Sequence, residues 1–134
     1  MIVVDTNIIC YRWMASPRSP VAERAWAKDP DWIAPLLWRS EFRNALAGAL
    51  RKQLIEVDAA TVIAEKAEAQ FAGREFFVSA RTVLRLAAGS RCSAYDCEFI
   101  ALAQEQQVLL VTEDRALLRE FAAVAISLEH FLDL

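Results

Sequence analysis

Ile2-Val3-Val4-Asp5-Thr6-Asn7 and Val108-Leu109-Leu110-Val111-Thr112-Glu113-Asp114 are two apolar runs that each lead into acids. Short runs of this kind, apolar throughout and rich in β-branched residues, suit strands of a parallel sheet covered on both faces. Trp32-Ile33-Ala34 reads as a second strand in chain order, Phe76-Phe77-Val78 as a short strand or extended link, and Val124-Ala125-Ile126 as a last strand. Helical patterns fill the intervals. Ile8 to Met14 is apolar and aromatic, and the loop Ser16 to Pro20 precedes a helix through Glu23 and Ala27. Pro35 sits where a helix can begin, and Phe42, Ala45, Leu46, Ala49 and Leu50 share one face of a helix running to about Lys52. Asp58 is a good N-cap for a helix carrying Ile63, Ala67 and Phe71 and ended by Gly73; Ser79 caps another that stops at Gly89. Further helices run from Ser93 to Gln106 and from Glu113 to about Ala122. Strands alternating with helices predict an α/β fold, three layers α/β/α around a central, mainly parallel twisted sheet.

The 134 residues are the size of one domain, spanning 1–134, and the 56% hydrophobic content supplies a core. A domain of this length buries roughly two-thirds of its unfolded surface. No segment approaches the apolar length of a membrane span, and Asp5 interrupts any signal-peptide core, so a cytoplasmic protein is expected. Cys10, Cys92 and Cys97 lack the close pairing of a zinc or redox motif and read as buried thiols; the single His130 has no neighbouring ligand type. The net charge of −3 is no argument against a nucleic-acid partner, because setting aside four acids as metal ligands leaves +1.

Those four acids are Asp5, Glu41, Asp96 and Asp114. Ligands of open α/β sheets bind outside the carboxyl ends of the strands, where Asp5 and Asp114 stand. Glu41 has Leu37, Trp38, Asn44 and Ala45 at helical offsets, and Asp96 has Cys92, Ser93, Phe99 and Ile100, so no local cation balances either. The bland alternatives are a capping box for Ser93–Asp96, a first-turn acid for Asp114 and a turn for Asp5. Two carboxylates about 5 Å apart repel by roughly 3 kcal/mol at an effective dielectric near 20, so a cluster implies bound cations. An all-oxygen set suits Mg²⁺ or Mn²⁺, ions used with phosphates, which points to phosphodiester chemistry.

Val4-Asp5-Thr6-Asn7, Ser40-Glu41 with Asn44-Ala45-Leu46, Tyr95-Asp96 with Ala101-Leu102-Ala103, and Leu110-Val111-Thr112-Glu113-Asp114 resemble, in order and spacing, the PIN-domain family, most of all its small VapC-type toxin ribonucleases. Gln106-Gln107 stands where many relatives end a helix with Gly. The resemblance implies a PIN-like fold. It implies a metal-dependent endoribonuclease in which Asp5, Glu41, Asp96 and Asp114 hold one or two Mg²⁺ or Mn²⁺ ions. Cleavage is expected to leave 5′-phosphate and 3′-hydroxyl ends. Asn7 and Thr112 are expected to orient the acids. Arg39 and Arg43, with Arg12 and Arg115 as weaker choices, are expected on RNA phosphates. Tyr11, Trp13 and Trp38 are candidates for base stacking, against core or interface packing. Relatives of this kind form homodimers and are inhibited by a small VapB-like antitoxin, so both partners are expected here.

Three rivals remain at this level. A receiver-like signalling module needs an acidic pair near the first strand and a late Lys, whereas Asp5 has no acidic neighbour and no Lys follows Lys66. A catalytically silent PIN-fold interaction module keeps the fold without metal. A PIN-type nuclease acting on DNA, or in RNA processing outside a toxin–antitoxin system, would use the same pocket.

Overall fold

The computed structural model describes residues 1–134. Strands β1 (Ile2–Val4), β2 (Trp32–Pro35), β3 (Glu75–Phe76), β4 (Leu110–Val111) and β5 (Ala125–Ile126) form one sheet in the order β3-β2-β1-β4-β5. All four pairings are parallel, with Val3 in register with Ile33 on one side and Leu110 on the other. Eight helices flank the sheet: α1 (Thr6–Trp13), α2 (Ser19–Lys28), α3 (Leu37–Arg51), α4 (Val57–Gln70), α5 (Ala80–Ala88), α6 (Ala94–Gln106), α7 (Arg115–Glu120) and α8 (Leu128–Asp133). The α/β architecture expected from the alternation is therefore present.

The strand order explains where a site can form. From β1 the chain builds outward to β2 and β3 on one side, then returns to add β4 and β5 on the other. Connections leaving neighbouring strands in opposite directions open a crevice at their carboxyl ends, and here that crevice lies between β1 and β4. Val3, Val4, Leu110 and Val111 are wholly buried beneath it. Helix α6 packs across β1, β2 and β4 with α5 against it, while α1 packs against α2, α3 and α4. At the end of β2, Trp38 on α3 lies with its ring centroid 4.7 Å from that of Phe71 and 5.7 Å from that of Phe42. All three aromatics are buried and anchor α3 and α4 to the core.

Several local readings shift. Pro35 closes β2 and does not open α3; as a last strand residue it needs no ladder N–H, and Leu36 donates instead to the Phe76 carbonyl. Helix α4 is capped at Glu56, and Asp58 sits in its first turn, where an acid complements the helix dipole. Asp114 lies one position earlier than expected, as the N-cap of α7. Strand β3 begins one residue before Phe76-Phe77-Val78, and Ile8 to Met14 is largely α1, a helix buried on too many sides to show a polar stripe. No helix is long and apolar enough to cross a membrane.

Gln107 ends α6 in the left-handed conformation, φ 57° and ψ 43°, where its N–H donates to the Ala103 and Gln104 carbonyls. A side chain there costs about 1 kcal/mol that glycine avoids. Gln107→Gly is expected to raise stability by roughly 0.5–1 kcal/mol, after the greater unfolded-state entropy of glycine is counted. A urea titration measures this, and a lower midpoint would show that the Gln107 side chain stabilises the native state.

Candidate active site

Asp5 follows β1 directly and caps α1, its Oδ1 accepting from the Thr6 backbone N–H at 2.8 Å. Across the crevice, the buried Thr112 at the end of β4 donates its hydroxyl to Asp5 Oδ2 at 2.6 Å. The same hydroxyl oxygen accepts from the Asp114 N–H at 3.0 Å. One threonine thus ties the ends of both strands. Asn7 contributes less: its Nδ2 stands 3.5 Å from Asp5 Oδ2, the limit of a hydrogen bond, and its Oδ1 is buried without a donor.

Glu41 approaches from α3 and is held by Thr6, whose hydroxyl donates to Glu41 Oε1 at 2.7 Å. Asp96 stands in the first turn of α6. Ser93 Oγ accepts from the Asp96 N–H at 3.1 Å, but the return bond of a full capping box, from Ser93 N–H to the Asp96 carboxylate, is not made. Asp114 spends Oδ1 on the Leu117 N–H at 2.9 Å, and Oδ2 receives no protein hydrogen bond.

Electrostatics joins these groups. Burial pushes the Asp5 carboxyl up to about 7, against the Thr112 and Thr6 hydrogen bonds that favour its anion, and the charges of Glu41 and Asp96 add to the rise. Glu41 is raised first by burial, with the Thr6 bond opposing and Asp96 and Glu98 adding. Asp96 is raised by burial and then by Asp114. Asp5, Glu41 and Asp96 are therefore each raised in part by another of the four acids, and none of the four enters an ion pair with a protein cation. The Cys10 thiol beside them is pushed up to about 12, first by its own burial and then by the charges of Asp5 and Glu41.

The donor set suits a hard divalent cation: four carboxylates lack a cation, and the buried Asn7 Oδ1 lacks a donor. The side chains do not form a preformed cage, since no three of them stand close enough to share an ion.

The expected arginines are placed differently from one another. Arg39 makes a two-pronged pair with Glu75, Nε to Oε2 at 2.6 Å and Nη2 to Oε1 at 2.7 Å. Arg43 pairs with Glu68 at 2.7 Å, and Arg12 pairs with Glu23 at 2.5 Å while its guanidinium lies 4.2 Å from the Trp26 ring. Arg115, exposed beside Asp114, enters no ion pair. Trp38 is buried and donates Nε1–H to Glu75, so its ring packs in the core. Tyr11 and Trp13 are half-buried beside Arg18 and Arg12.

Two residues escaped the sequence reading. Thr6 could not be paired with Glu41 because 35 positions separate them. Glu98 was visible by the test that marked Glu41: its offsets on α6 are Ala94, Tyr95, Ala101 and Leu102, with no cation. Removing the Thr6 hydroxyl in Thr6→Val is expected to weaken Mn²⁺ binding about 10-fold, the usual cost of losing a group that orients a ligand. Calorimetric titration checks this, and an unchanged affinity would show that Glu41 needs no such support.

The sequence profile of the PIN domain matches residues 2–125. Among solved structures, PAE2754 from Pyrobaculum aerophilum superposes with a TM-score of 0.77 at 21% identity, covering 98% of this chain and 86% of that one. FitAcB from Neisseria gonorrhoeae gives 0.69 at 22% identity, covering 95% and 96%. A toxin–antitoxin complex from Klebsiella pneumoniae gives 0.69 at 14%, covering 96% and 98%. Comparison with curated proteins gives no match. At these identities the structural likenesses establish a shared fold.

Proposed function

The chain belongs to the PIN domain family, and we propose that it is a divalent-metal-dependent endoribonuclease acting as the toxin of a toxin–antitoxin pair. The observation that carries the reading is the buried Asp5, which takes hydrogen bonds from Thr112 and Thr6 yet has no cation, at the crevice between β1 and β4. A buried acid given its hydrogen bonds but no counter-charge is suited to a metal. Asp5, Glu41, Asp96 and Asp114 would hold Mg²⁺ or Mn²⁺. When bound, such an ion lowers the pKa of a coordinated water and offsets charge on the phosphate.

The chain's own residues supply orientation. Thr112 fixes the Asp5 carboxylate and the Asp114 backbone together, Thr6 holds Glu41, and Ser93 caps the turn that presents Asp96. Asn7 is a lesser orienting group. Arg115, which enters no ion pair, would meet a phosphate directly, whereas Arg12, Arg39 and Arg43 would first have to leave a glutamate. Two of the similar structures, FitAcB and a toxin–antitoxin complex, support a small VapB-like antitoxin as partner. A homodimer in the cytoplasm completes the proposal.

The test is incubation of the purified chain with labelled single-stranded RNA and DNA in Mg²⁺, Mn²⁺ or EDTA. RNA cleavage confined to the metal-containing reactions is expected. Cleavage of DNA alone would reassign the substrate, and cleavage of neither would leave a silent interaction module. Light scattering is expected to give twice the chain mass.

A further inference from the structure

We infer that Glu113 is a positioning residue for Asp114: by clasping the start of α8 and Arg18 it fixes the extended segment that carries Thr112 before it and Asp114 after it. This rests on the reading of Asp114 as a metal ligand. Successive side chains of an extended segment point to opposite sides, and Thr112 and Glu113 do so here. Thr112 turns to β1 and gives its hydroxyl to Asp5 at 2.6 Å. Glu113 turns away, and its Oε1 accepts from the Leu128 N–H at 2.9 Å and lies 3.4 Å from Arg18 Nη2. Arg18 spends its other terminal nitrogen on Glu129, at 2.7 Å. A residue flanked by two groups of the crevice is thus tied to elements that carry none of the four acids.

Asp114 needs such a hold. Its own hydrogen bonds are local, to Thr112, Leu117 and Leu118, so the place of its carboxylate relative to Asp5 follows the place of the segment. The ladder of β4 on β5 ends with the Thr112 N–H on the Ile126 carbonyl, at 3.0 Å, and beyond it the bond from Leu128 to Glu113 continues the connection. The anchor is firm: Leu128 is wholly buried, and at the far end of α8 Lys28 Nζ donates to the carbonyls of Phe131, Leu132 and Leu134 at 2.8, 3.3 and 2.9 Å. Of the two contacts of Glu113, the one with Leu128 matters more. An N–H to carboxylate bond is charge-assisted, whereas a partly exposed ion pair at 3.4 Å contributes little.

The experiment pairs amide hydrogen exchange by NMR in EDTA with calorimetric Mn²⁺ titration. Glu113→Ala is expected to speed exchange at the Asp114 and Leu117 amides about 10-fold relative to the Val83 amide on α5, and to weaken Mn²⁺ binding about 10-fold. Glu113→Gln keeps an acceptor for Leu128 and is expected to stay within about 3-fold of wild type in both, since a neutral acceptor holds an N–H about half as strongly. Lys28→Ala frees the far end of α8 without touching Glu113. It is expected to lower the melting temperature and leave both readouts unchanged. Wild-type exchange or wild-type Mn²⁺ affinity in Glu113→Ala would overturn the assignment, as would a Gln variant as impaired as the Ala variant. Equal losses in Lys28→Ala would overturn it too, marking a general loosening of α8. The metal reading is judged on the wild-type chain. If that chain takes up no Mn²⁺ while exchange responds as expected, the clasp stands and the metal reading fails; if it takes up Mn²⁺ and Glu113→Ala matches it, only the clasp fails.

Discussion

Asp5→Asn is expected to abolish RNA cleavage, by at least about 100-fold, and at the same time to make the metal-free protein more stable at pH 8. The stability gain follows from burial. The Asp5 carboxyl is raised to about 7 in the folded protein from 3.8 in the unfolded chain. Below pH 3.8 it is protonated in both states and costs nothing. Between 3.8 and about 7 it is ionised only when unfolded, so folding takes up a proton and stability falls as pH rises. Above about 7 the whole cost remains, on the order of 4 kcal/mol, and asparagine removes the charge while giving up part of the hydrogen bonding from Thr112 and Thr6. A melting temperature about 5 °C or more above wild type is expected in EDTA at pH 8, with the gain vanishing near pH 4. Mn²⁺ is expected to raise the wild-type melting temperature and leave the variant's unchanged. A variant less stable than wild type at pH 8 would mean that the hydrogen bonds outweigh the charge.

The second large effect is structural. Trp38→Ala removes a wholly buried ring packed on Phe71 and Phe42, and it strips one donor from Glu75, which Arg39 also holds. Loss of a buried aromatic costs about 3–5 kcal/mol, a large share of a domain's net stability. Because α3 also carries Glu41, the loosened helix is expected to lower metal affinity as well. Denaturant unfolding and Mn²⁺ titration separate the two effects. Destabilisation below about 1 kcal/mol would show that the surrounding side chains collapse into the space.

The parts of the fold legible in the sequence are those set by local chemistry. The runs before Asp5 and through Val111 read as strands because both faces of β1 and β4 are covered and every side chain is apolar. Ser79, Ser93 and Gly89 marked the limits of α5 and the start of α6, since caps act within a few residues. What failed to show depended on distance. The glutamates that occupy Arg39 and Arg43 come from β3 and α4, 36 and 25 positions away, so two arginines that look available in sequence are paired in space. The acids themselves stood out by the lack of a nearby cation, which is local; their orienting partners, apart from Thr112 and Asn7, were not.

The central place of β1 has a consequence for the order in which the molecule comes into being. Strand β1 is sandwiched between β2 and β4, and β4 arrives only at Leu110. A nascent chain that has exposed Asp5 and Glu41, and even Asp96, still lacks the Thr112 hydroxyl and the Asp114 carboxylate that close the crevice. On the ribonuclease reading, the chain therefore stays harmless to the message and ribosome producing it until Asp114 has been synthesised.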